Sequence, residues 1–150
     1  MFMEFLDLKI RPEEFEKIGK VLASLKNRLG AESVCLISRS GQEIACAGRL
    51  ESIDRDALSS LAASCLAATY GLAKLLGEEE FERIYQKGER RSILINRAGE
   101  NALLLLVFRL DGSQEIDLKG LRQGALILED VLTSVYRRAL EQPKTQAHTR

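Results

Sequence analysis

Ala102-Leu103-Leu104-Leu105-Leu106-Val107-Phe108 is the stretch whose reading decides this fold. Seven consecutive apolar residues leave a strand with no polar face. Such a strand sits in the middle of a sheet and is covered on both sides. Working outward, Ala98-Gly99-Glu100 is a hairpin turn and makes 91–97 the neighbouring strand. Lys87-Gly88-Glu89-Arg90 is a second turn and makes 81–87 the next. That strand mixes Phe81, Ile84 and Tyr85 with Glu82, Arg83 and Gln86, which suits a sheet edge. An edge leaves unpaired backbone groups that another chain can use.

Upstream, Ser33–Arg39 and Gln42–Gly48 read as two short strands joined at Ser40-Gly41. A two-residue turn pairs Ile37 with Ile44, Leu36 with Ala45, Cys35 with Cys46 and Val34 with Ala47. Both faces of this hairpin are apolar, so each needs a cover. Helices supply it. Pro12 and Glu13, Glu14 and Glu16 suit a helix start, and Phe15, Ile18, Leu22, Leu25 and Leu29 recur at helical spacing up to Gly30. Asp54 is an N-cap for a second helix that runs to about Leu76. A third begins near Asp117, with Leu118, Leu121, Ala125, Leu128, Leu132, Val135 and Ala139 as its apolar stripe. The expected architecture is α-ββ-α-βββ-α. This is an α/β (α+β) fold with a five-stranded antiparallel sheet, the long helix on one face and the N- and C-terminal helices on the other. Residues 1–11 read as an N-terminal arm, 12–140 as the domain and 141–150 as a polar, disordered tail.

The second helix carries two stripes. Leu58, Leu61, Cys65, Ala68, Leu72 and Leu76 form one. Asp56, Ser60, Ala63, Ala67, Tyr70 and Lys74 form the other, which is small and weakly polar where an ordinary solvent face would carry more Glu and Lys. The second stripe is expected to face outward and to bind a partner. The strand with Phe81, Arg83, Ile84 and Tyr85 is expected to be a dimer edge. Together they favour a homodimer.

Signs of catalysis are few. The only histidine, His148, lies in the polar tail, which argues against a His-based triad or metal site. There is no P-loop and no G-x-G-x-x-G after a strand, so neither a cofactor nor a nucleotide is expected. Lys plus Arg and Asp plus Glu both number 22, so no basic excess marks a nucleic-acid binder. Cys35, Cys46 and Cys65 make no C-x-x-C pair; they read as reduced thiols, with a cross-strand redox pair at 35 and 46 as the alternative. Glu78-Glu79-Glu80, Arg90-Arg91 and Arg137-Arg138 read as solvated surface. The uncharged run 57–73 is short and Ser-diluted for a membrane span, and the N-terminus lacks a basic leader. A cytoplasmic location without membrane insertion is expected.

The segments GAESVCLISRSGQEIACAG, DALSSLAASCLAATYGLAKLL and FERIYQKGERRSILINRAGENALLLLVFR resemble the Roadblock / dynein light-chain family over roughly 12–140. The resemblance extends to its bacterial members that activate the polarity and gliding-motility small GTPase. It implies a dimer with adjacent second helices and third strands joined into one sheet. It also implies service to a Ras-like small GTPase without an arginine finger, so Arg90 and Arg91 are given no such role. A dimeric scaffold without effect on GTP turnover is the alternative, and a small enzyme with an unrecognised site is a third reading.

Overall fold

The computed structural model describes residues 9–109 and 115–141. Residues 1–8 of the expected arm, 142–150 of the expected tail and His148 lie outside the described residues. Chain order is α1 (Pro12–Leu29), β1 (Ser33–Ser38), β2 (Glu43–Gly48), α2 (Arg55–Leu75), β3 (Arg83–Lys87), β4 (Arg91–Arg97), β5 (Ala102–Arg109) and α3 (Leu118–Glu141). The five strands form one sheet in the order β2-β1-β5-β4-β3, and every pairing in it is antiparallel.

β5 is the middle strand, and its alternation explains the arrangement. Ala102, Leu104, Leu106 and Phe108 join α1 and α3 in one core. Leu103, Leu105 and Val107 join α2 in the other. Both sets are buried because water is excluded from both faces. Strand β1 repeats the pattern, with Val34 and Leu36 on the first face and Cys35 and Ile37 on the second.

α1 and α3 run antiparallel. Arg138 reaches Glu14 at one end and Arg28 reaches Asp117 at the other. Gly124 lets them approach, since a Cβ there would lie 2.8 Å from Leu25 Cδ1. α2 lies alone on the opposite face. Asp54 caps it by accepting from the Ala57 amide at 3.1 Å. By length and apolarity α2 could cross a membrane, and 22% of its apolar window is buried, at positions drawn from Ser59, Ala62, Ala63, Leu66 and Ala73.

Three expectations are corrected. β3 starts at Arg83, so Phe81 precedes it. A β-bulge between Leu36 and Ile37 pairs Ile37 with Glu43 rather than Ile44. Cys35 and Cys46 face each other as expected, but they are joined as a disulfide rather than reduced. Glu78, Glu79, Arg90, Arg91 and Arg137, read as solvated surface, are exposed, and several surface charges are held in ion pairs. Arg91 Nε and Nη2 donate to the Glu32 carboxylate at 2.9 Å each, and Glu80 holds both Arg39 and Arg97.

Candidate functional site

The geometry of α2 defines the site. Its buried positions are mostly small: Ser59, Ala62, Ala63 and Ala73, with Leu66 the one large side chain among them. The sheet beneath is filled by Ile37, Ile95, Leu103, Leu105 and Val107, so a helix with short side chains can approach where one with leucines would be held off. Leu66 is buried and Leu58 packs against the sheet core, but the other leucines of the helix point away. Leu61 is 68% exposed, Leu72 56%, Leu75 85% and Leu76 71%. Of the stripe expected to face outward, Asp56, Ser60, Ala67, Tyr70 and Lys74 are exposed and Ala63 alone is buried; of the leucine stripe, Leu58 and Cys65 pack against the sheet core while Leu61, Ala68, Leu72 and Leu76 are exposed as well. Both stripes were readable, but the buried face, with Ser59, Ala62, Leu66 and Ala73, falls between them, and neither stripe marks it.

The small-residue stripe flanks the packed face. Ala63 is buried against the sheet and is not offered to a partner. Asp56, Ser60, Ala67, Tyr70 and Lys74 remain exposed. The Lys74 ammonium lies 5.0 Å from the Tyr70 ring centroid, within range of a cation–π contact. Tyr70 and Ala67 also border a cleft of about 560 Å³ with Arg39, Glu80, Arg97 and Glu100. Both of its arginines lie in ion-pair range of Glu80, while the buried Arg97 Nε makes no hydrogen bond within the described residues.

β3 is an outermost strand. Ile84 packs under α2, Tyr85 is exposed, and Arg83 donates Nε to Asn96 Oδ1 at 2.9 Å. Gln86 reaches toward Cys65 of α2, which places the β3 edge beside that helix. The second edge of the sheet, β2, was not singled out from the sequence, because Ile44, Ala45 and Ala47 look like interior residues; α1 packs over them.

On the opposite face, the Arg138 guanidinium bound to Glu14 holds that carboxyl down at about 2. Hydrogen bonding from Arg91 likewise keeps Glu32 below the usual carboxylate range. These groups tie elements together and line no shared cavity with the α2 surface.

A sheet clad on both faces, with an exposed apolar helix beside an open edge, defines a small α/β interaction module. The sequence profile of the Roadblock/LC7 domain matches residues 17–108, and the chain belongs to the Roadblock/LC7 family. Three solved structures are similar over nearly their whole length. An MglB with tetrameric arrangement shares 32% identity, covers 87% of this chain and 98% of its own, and superposes with a TM-score of 0.77. The gliding protein MglB from Thermus thermophilus shares 30% identity over 86% of this chain and 98% of its own, TM-score 0.76. Myxococcus xanthus MglB shares 31% over 91% of this chain and 100% of its own, TM-score 0.69. No curated protein sequence matches.

Proposed function

We propose that this chain works as a homodimer that binds and regulates a Ras-like small GTPase. One observation carries the reading: the exposed stripe Leu61, Leu72, Leu75 and Leu76 beside the open edge of β3. A contiguous apolar patch of this kind marks an interaction surface. The β3 edge offers a row of backbone donors and acceptors to a second β3. The similarity to MglB chains, one of them in a tetrameric arrangement, supports self-association. α2 then has three faces in use. Its small face packs on the sheet, its leucine face meets the partner subunit, and the flank with Asp56, Ser60, Ala67, Tyr70 and Lys74 meets the GTPase. The chain acts by binding and supplies no catalytic group of its own.

The test has two arms. Sedimentation should show a dimer at tens of micromolar; a monomer there sinks the dimer reading. Small GTPases of the source organism, loaded with GDP or a GTP analogue, are then presented to the immobilised protein. Capture of one, with altered GTP turnover, supports regulation. Capture with unchanged turnover moves the protein to the scaffold reading. Capture of none removes the GTPase assignment.

A further inference from the structure

Cys35 and Cys46 sit directly opposite each other across β1 and β2, with Cα atoms 4.0 Å apart. The pair lies in the apolar layer under α2. Its two sulfurs differ in access: Cys35 is 2% exposed, whereas Cys46 is half-buried on the edge strand. As a staple the bond closes a short loop, with a sequence separation of 11, and removes somewhat less freedom from the unfolded chain than a longer loop would. Its position has larger consequences. The bulge in this hairpin brings Glu43 to the α2 side, where the Glu43 carboxylate accepts from Arg55 Nε at 3.1 Å in the first turn of α2. The hairpin turn at Gly41 lies directly beneath Ser60 and Ala63. This hairpin is thus the seat of the N-terminal half of α2, and the helix holds it with few large side chains.

We propose that Cys35–Cys46 is a reversible thiol–disulfide site whose oxidised form braces α2 on the sheet. The reductant is a dithiol or two molecules of glutathione. Its thiolate attacks the accessible Cys46 sulfur, the Cys35–Cys46 bond breaks, and Cys35 leaves as a thiolate that takes up a proton. A second thiol of the reductant then attacks the mixed disulfide and releases Cys46. The protein gains two thiols and the reductant becomes a disulfide, a two-electron exchange. This inference stands apart from the GTPase reading, and its readouts need no partner.

A Cys65→Ser background leaves only these two thiols. Native protein is equilibrated in graded mixtures of reduced and oxidised glutathione, quenched in acid, unfolded and labelled with maleimide. Both thiols should appear together, and the curve should retrace in the opposite direction. Labelling at every ratio, or at none, overturns the site. Amide exchange over 55–66 should be at least about tenfold slower in the oxidised protein, as expected when local opening is suppressed, with α3 unchanged. Equal rates in the two states overturn the brace. A Cys35→Ala/Cys46→Ala variant should exchange like the reduced protein in either condition; redox-dependent exchange persisting in it also overturns the proposal. Should that variant fail to fold, the two states of the Cys65→Ser protein still decide.

Discussion

Glu14 shows how much one side chain can hold. It accepts from the Arg11 amide at the start of α1, and both its oxygens accept from Arg138 near the end of α3, at 2.7 and 2.8 Å. That partnership depresses its carboxyl to about 2 from an ordinary value of 4.5. A carboxyl lowered on folding stabilises the protein fully above its unfolded value and loses that contribution as pH falls through the folded one. Glu14→Gln should therefore cost about 1 kcal/mol at pH 7, the scale of a well-formed ion pair near the surface. The deficit should shrink as pH falls from about 4.5 to about 2; urea melts of both proteins across that range check it. Glu14 was legible as an acid in a first turn, and the pair Arg137-Arg138 as bases near a last turn. Their junction was not, because only the packing of α1 on α3 brings residues 124 apart together. Gly124 makes that packing, and Gly124→Ala should cost about 1–3 kcal/mol through overpacking against Leu25, read as a lower thermal midpoint.

Helix α2 is where reading the sequence and reading the structure part company. Both stripes were visible in its periodicity, and so was the shortage of charge. The packed face was not, because Ser59, Ala62, Leu66 and Ala73 belong to neither stripe. On the sheet side, Ile37, Ile95, Leu103 and Leu105 fill much of the space between the layers. Ser59, Ala62 and Ala63 then suffice beside a single buried leucine, Leu66. Leu72→Glu and Leu75→Glu should consequently leave the unfolding free energy of the isolated subunit within about 0.5 kcal/mol, as surface changes do. The same changes should sharply weaken self-association, since an unpaired charge in a packed interface is costly. Sedimentation and thermal melts on one sample separate the two effects; an unchanged dimer would place the interface elsewhere. On the neighbouring flank, Tyr70→Ala should remove about 2 kcal/mol of partner affinity if Tyr70 sits near the centre of that contact, measured by titration against a captured GTPase.

For the molecule as a whole, the hairpins and the central place of Ala102–Phe108 could be read from turn residues and two-sided apolarity. The β1–β5 junction could not, because neither strand marks its partner. That junction makes the two hairpin units one sheet, with Cys35 beside Leu105 and Leu36 beside Leu104. Leu105→Ala should cost about 3 kcal/mol, the usual toll of a core cavity, and urea unfolding should remain a single transition because both layers share β5. The same strand order bears on synthesis. A ribosome delivers β1 and β2 early, yet the second neighbour of β1 is complete only at residue 109. Until then the nascent hairpin has an unpaired inner edge, and Leu36 and Ile37 lack the β5 neighbour that lies beside them in the finished sheet. Exposed apolar surface and open strand edges are what make incomplete chains aggregate. The early half of this protein must therefore be sheltered while the remainder is translated, and chaperone demand is set by the order in which its strands are threaded.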